Sequence, residues 1–201
     1  MFRSIRTFLV AIAAACAIPT AFAEDSVARP VYLALDAGQS NATSACNGIP
    51  AGFSCGTTAT AFRGIVGYRF APSWAVELHY TDFGTINVNG YYLGFPISGS
   101  FKASGEEAAF VAIVPLNGTL DFNARLGVAT TKATTSASAA GYTLSATSNT
   151  TTAVPGVGLR FHFTDMLAAQ INYDYYGTVG NSNTTGSSKL STISAGLTLS
   201  F

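Results

Sequence analysis

Between Gly67 and Gly84 the chain reads GYRFAPSWAVELHYTDFG, and apolar and polar residues alternate on both sides of Ala71-Pro72-Ser73. A period of two puts successive side chains on opposite faces of a strand, so two such runs joined by three turn-forming residues predict a tight β-hairpin. Phe62, Gly64, Val66, Tyr68 and Phe70, then Trp74, Val76, Leu78 and Tyr80, share one parity. Arg63, Arg69, Glu77, His79 and Thr81 hold the other. One face is aromatic and aliphatic, the other charged.

The same period recurs along the chain. VYLALDAG (Val31 to Gly38) sets Val31, Leu33, Leu35 and Ala37 against Tyr32, Ala34 and Asp36. Phe101 to Val114 sets Ala108, Phe110, Ala112 and Val114 against Glu107, Ala109, Val111 and Ile113, and a turn at Pro115-Leu116-Asn117-Gly118 leads into LDFNARLGV, with Asp121, Asn123 and Arg125 on its polar parity. A strand ending at Phe163 carries Arg160 and His162 opposite Val157, Leu159 and Phe161; after Thr164-Asp165-Met166, another carries Gln170, Asn172 and Asp174 opposite Ile171, Tyr173 and Tyr175. The last, Lys189 to Phe201, alternates Ile193, Ala195, Leu197, Leu199 and Phe201 with small polar residues. With the hairpin, this pattern predicts eight strands. Residues 85–100 have no period and read as a long loop; so does the Gly, Thr, Val, Asn and Ser run 177–188. The Thr, Ser and Ala-rich stretch 130–152 suits strand extensions joined by a loop.

Connections therefore alternate long and short. Asp36, Arg63, Arg69, Glu77, Glu107, Asp121, Arg125, Arg160 and Asp174 all fall on the polar parity, and the apolar positions named above hold no charge. A soluble β-sandwich would turn the apolar face to its core. A membrane barrel would turn it to lipid, where a basic residue at the midplane costs about 2–4 kcal/mol. An even strand number and alternating loop lengths favour the barrel. Beyond the N-terminus no apolar run is long enough for a helical span.

The N-terminus supplies the export route. Arg3 and Arg6 precede the apolar run Phe8 to Ile18, and Ala21-Phe22-Ala23 comes before Glu24-Asp25, which reads as a signal peptide over residues 1–23 cleaved after Ala23. Residues 24–201 then form one barrel domain. The whole chain has a formal net charge of zero, and no basic patch points to nucleic acid. Cys46 and Cys55 are the cysteines remaining after cleavage, and export to an oxidising compartment makes a disulfide the expected state. Two thiols without a nearby His or further Cys supply only half a tetrahedral metal site.

On GYRFAPSWAVELHYTDFG, LDFNARLGVA (Leu120 to Ala129), GVGLRFHFTD (Gly156 to Asp165) and the ending GLTLSF, the chain resembles the OmpA-like transmembrane domain family of small eight-stranded outer-membrane β-barrel proteins, over residues 30 to 201. The resemblance implies an all-β, antiparallel, up-and-down transmembrane barrel in the bacterial outer membrane. It implies that Phe201 acts as the aromatic signal read by the barrel-assembly machinery, that Glu77 and Arg125 stand at interior charged positions, and that the peptidoglycan-binding domain of fuller members is absent. Val111, Arg160 and Gln170 depart from the family pattern, which often has a basic residue, an acidic residue and an arginine there.

Eight strands leave an interior only wide enough to be filled by side chains, and charges inside need partners. The expectation is that Arg125 and Arg160 hold Glu77 near mid-barrel, with Asp121 pairing towards the periplasmic end, in a structural rather than conductive network. His79 and His162 lie near opposite ends and form no common catalytic site; Glu106 and Glu107 point to opposite faces. No catalytic, cofactor-binding or metal residue is expected. Aromatics at both strand ends, Phe70, Trp74, Phe163 and Phe201 against Tyr80, Tyr173 and Tyr175, suit interfacial girdles. The expected role is envelope integrity or surface interaction through four external loops, with lipid, lipopolysaccharide and a host or cell-surface ligand as partners of a monomer. A narrow low-conductance pore and a lipid A-modifying enzyme are the alternatives.

Overall fold

A computed structural model describes residues 27–46, 52–92, 95–139, 142–183 and 185–201. The signal peptide expected over residues 1–23 lies outside the described residues. Nine strands occur: β1 (Val31–Ala42), β2 (Ser54–Cys55), β3 (Thr58–Ala71), β4 (Trp74–Tyr92), β5 (Phe95–Pro115), β6 (Leu120–Ala139), β7 (Tyr142–His162), β8 (Leu167–Asn181) and β9 (Gly186–Ser200). The eight long ones pair antiparallel with their neighbours in order, and β9 closes back on β1 from Tyr32↔Ser200 to Ala42↔Leu190. Closure leaves these strands no open sheet edge at mid-height.

Alternation along each strand is resolved outward-apolar. Leu78, Phe110, Leu159 and Leu197 are 43%, 47%, 44% and 56% exposed, while Glu77 and Arg125 between them in register are 2% and 4% exposed. A water-soluble barrel would show the reverse. An apolar band outside and a polar interior is the arrangement of a barrel solvated by lipid.

Three short turns close one end. Asn117 Oδ1 accepts from the backbone N–H of Thr119 and of Leu120, both at 2.9 Å, and Thr164 Oγ1 accepts from Met166 and Leu167 at 3.2 and 3.0 Å. Such side-chain acceptors stand in for backbone partners in a tight reversal. The third turn follows a bulge between Arg69 and Ala71.

The opposite end corrects two expectations. Residues 85–92 and 95–100 are strand, not loop: after a bulge at Gly84 (φ 78°), β4 and β5 stay paired from Thr85↔Lys102 to Tyr92↔Phe95. Residues 177–181 and 186–188 are likewise paired, from Gly177↔Leu190 to Asn181↔Gly186. Above the apolar band neither face of a strand meets lipid, so the ladder persists without any hydrophobic period to reveal it. The stretch 130–152 does form extensions, with β6 and β7 paired from Leu120↔Phe161 to Ala139↔Tyr142. The sequence pattern missed β2, whose two residues pair with Asn89 and Val88 of β4.

One wall seam is incomplete. The β7–β8 ladder runs from His162↔Ala168 only to Gly156↔Asp174. Next comes Pro155, which has no N–H to donate. Above it threonines bridge the gap: Thr152 Oγ1 donates to Tyr176 O at 2.8 Å, and Gly180 N donates to Thr150 Oγ1 at 3.2 Å.

Candidate functional site in the barrel interior

Inward-facing residues form two apolar groups and a charged layer. Towards the turns, on the β1, β3, β4 and β5 side, is an apolar cluster of Tyr32, Ala34, Ile65, Ala75, Val111 and Ile113, while Asp121, Asn123, Arg160 and Gln170 are buried on the opposite side. At the hairpin end lies a second apolar group, built around Phe83, Ile86, Val154, Tyr176, Val179 and Leu190, with Phe83 and Tyr176 edge-to-face at 4.7 Å. Between them is a charged layer. The order follows directly from strand β4, whose inward positions read Ala75, Glu77, His79, Thr81 and Phe83 from turn to hairpin.

Glu77 is the hub of the charged layer. Arg125 Nε lies 2.9 Å and His79 Nε2 2.8 Å from its Oε2, while Tyr32 donates its hydroxyl to Oε1 at 2.6 Å. Arg160 Nη2 is 3.6 Å from the same Oε1 and its guanidinium carbon sits 4.7 Å from the Tyr32 ring centroid. Tyr32 reaches Glu77 by crossing Gly67, where an added Cβ would fall on its ring.

The network continues on both sides. Arg125 Nη1 bonds Asp174 Oδ1 at 2.8 Å; Asp174 also binds Arg63, which holds Asp36 through Nη2 at 2.8 Å. Asp36 accepts further bonds from Gln170 at 2.8 Å and Asn172 at 3.0 Å. Towards the hairpins, His79 Nδ1 lies 3.2 Å from Glu107 Oε2, within ion-pair reach though not aligned as a hydrogen bond, and Tyr176 donates to that carboxylate at 3.1 Å. Three guanidiniums and one imidazole thus face four of the five buried carboxylates among the described residues, those of Asp36, Glu77, Glu107 and Asp174. Each buried charge meets an opposite partner, the condition under which desolvation is offset.

Asp121 is outside this layer. Its Oδ2 pairs with His162 Nε2 at 2.9 Å beside the turn end, where the imidazole is partly exposed. Arg160 also donates to Gln170 Oε1 at 3.1 Å, and Thr198 donates to the same oxygen at 2.9 Å. Asp36, Arg63, Asp174, His79 and Tyr32 belong to the site although the sequence reading named only their parity. Their signal was the hairpin register: Asp36 stands directly opposite Arg63, and aligning that pair would have exposed it.

Cys46 and Cys55 are joined by a disulfide with Cα atoms 5.9 Å apart. Cys55 lies in β2, so the bridge ties the β1–β3 connection to the edge of β4. Above the second apolar layer, a cavity of about 570 Å³ opens between the hairpins, bordered by Ile86, Val88, Phe101, Thr135, Thr185 and Ser188. Phe201 is half-exposed, and its backbone N–H donates to Val31 O at 2.8 Å.

The family profile described as the OmpA-like transmembrane domain matches residues 27–201. The chain belongs to that family. Solved structures share its fold at low identity. Ail, the attachment invasion locus protein of Yersinia pestis, is 18% identical with a TM-score of 0.56, covering 87% of this chain and 100% of its own. Neisserial surface protein A is 16% identical with a TM-score of 0.54, covering 85% and 97%. The outer membrane protein OprG of Pseudomonas aeruginosa is 13% identical with a TM-score of 0.52, covering 86% and 97%. No characterised protein sequence matches the chain significantly. As an OmpA-like transmembrane barrel, the chain combines the family's outward apolar band with an interior filled from turn to hairpin.

Proposed function

We propose that this barrel resides in the bacterial outer membrane, where it is a non-enzymatic structural element whose raised hairpins meet ligands at the cell surface. The observation that carries the reading is the continuation of β4 to β7 beyond the apolar band as one paired sheet ending in exposed side chains. Tyr91, Tyr142 and Leu144 are 74%, 82% and 78% exposed there. Large apolar groups held out on ordered strands are the usual mark of a contact surface. The disulfide-tied β2 braces the β4 side of the same sheet.

The filled interior favours this role over conduction. An apolar layer spans the barrel on the hairpin side of the charged one, so an ion would have to displace Phe83 and Tyr176 as well as part Glu77 from Arg125. Among the neighbours, Ail has been solved in complex with the heparin analogue sucrose octasulfate. A surface glycan is therefore a reasonable first class of ligand to test.

The test compares cells making the intact barrel with cells making one whose β4–β5 and β6–β7 hairpins are shortened to the Thr85↔Lys102 and Lys132↔Asn149 pairs. Adherence to host-derived surfaces should fall with shortening while planar-bilayer conductance stays at baseline for both. Unchanged adherence with stepwise conductance would support the pore instead, and a change in lipid A mass on expression would support the enzyme.

A further inference from the structure

The chain has three lysines, and the fold sends all of them to one place. Lys102, Lys132 and Lys189 are exposed on the outward face at the hairpin-end rim, whereas Arg63, Arg125 and Arg160 are buried inside and Arg69 lies at the turn end. On β6 the outward residues climb Leu126, Val128, Thr130, Lys132; on β9 they climb Leu197, Ala195, Ile193, Ser191, Lys189. Lys132 and Lys189 therefore stand two outward positions beyond the last aliphatic residue of their strands. Each such step rises about 5 Å for a strand tilted near 40°. That height is the headgroup zone flanking the hydrocarbon core.

The register groups two of them. Lys132 pairs with Ser104 on β5 and Asn149 on β7, and Lys102 pairs with Thr134 in the next outward row, so the two lysines are diagonal neighbours. Hydroxyl pairs flank them: Thr130 with Thr151 and Thr134 with Thr147, both at 3.2 Å. The acids on this face are Asp82 and Glu106; Lys102 Nζ is 3.7 Å from Asp82, with both side chains well exposed and the pair weak accordingly. Lys132 and Lys189 have no acidic partner within 4.0 Å among the described residues. Beyond this rim the described residues of all the hairpins carry no charge.

We propose that Lys102, Lys132 and Lys189 form a collar that binds the phosphate groups of outer-leaflet lipid headgroups. A soluble polyanion would meet neutral hairpin tips first, whereas a lipid phosphate is held at the height of the ammonium groups. Lysine serves phosphate as a point charge on a flexible stem, which suits ligands diffusing around the barrel wall. The proposal rests on the outer-membrane reading and adds which lipid group is recognised and by what.

Native mass spectrometry of the barrel in micelles, with bis-phosphorylated lipid A and with its dephosphorylated form, reads the collar directly. The wild type should prefer the phosphorylated lipid, Lys132→Gln or Lys189→Gln should lower that preference about fivefold each, and the triple Gln variant should abolish it. The triple Arg variant should keep it. Equal retention of both lipids by the wild type, or an undiminished preference in the triple Gln variant, would overturn the proposal. Heat-modifiable gel mobility and outer-membrane fractionation, read on the same samples, separate a failed collar from a failed outer-membrane assignment.

Discussion

Glu77 accepts from Tyr32, Arg125 and His79 at once and lies within ion-pair reach of Arg160, so its carboxylate cannot be removed without stranding a buried guanidinium. Glu77→Ala should lower barrel stability by about 3–5 kcal/mol, the cost of breaking a buried pair from one side. Urea unfolding in lipid vesicles measures it; a loss below the scatter of surface substitutions would show the network to be dispensable. Tyr32→Phe keeps the ring against Gly67 and removes one hydrogen bond to a charged oxygen, so about 1–3 kcal/mol is expected. A double-mutant cycle between Glu77 and Arg125 should return strong coupling, because the two are in direct contact at 2.9 Å within one ion-pair network that His79 and Asp174 continue on either side. Parity alone marked Glu77 and Arg125 as interior. It did not show that Asp174 and Arg63 extend the chain of contacts to Asp36, since that depends on which rows come level after the barrel closes. Tyr32 was hidden for a different reason: its role needs the missing side chain at Gly67, its register partner on the paired strand β3.

At the scale of elements, alternation reveals a strand only where its two faces meet different surroundings. Lipid outside and charge inside imposed a strict period on β1, β3 and the lower half of β4, and those spans were legible. The described residues of 85–100 and 177–188 lie above the lipid-facing band, with only Ile86 and Val179 among them buried in the upper apolar layer, so backbone pairing continues with no regular period to announce it. The β7–β8 seam above Pro155 yields a prediction of its own. Thr150→Val and Thr152→Val remove the side-chain bridges without changing bulk, and amide exchange should speed up around residues 150–154 and 176–180 while the ladder from Gly156 to His162 stays protected. Uniform protection in the double variant would mean that a backbone ladder holds the seam. Reducing the Cys46–Cys55 bridge should free β2 from β4 and raise exchange at Val88 and Asn89. Barrel mobility on gels should not change, because the ring closes without β2.

The whole molecule is an inside-out protein whose charged middle is capped by an apolar layer towards the hairpins and packed against an apolar cluster towards the turns. This arrangement explains how eight of the nine charged residues on the inward parity are buried without opening a water channel: each of the eight has an opposite partner, and Phe83 and Tyr176 close the hairpin end. The raised sheet and the lysine rim then sit on a scaffold that needs no motion to hold them. All of this depends on which side of the wall meets hydrocarbon. Fluorophores attached to single cysteines at positions 78, 110, 159 and 197 in vesicles of brominated lipid test that side directly. Leu78, Phe110, Leu159 and Leu197 point outward, so quenching by the brominated chains is expected at all four, with none for a probe on a hairpin tip at position 144. Full fluorescence at the four wall positions, with the protein monomeric in water, would contradict the account.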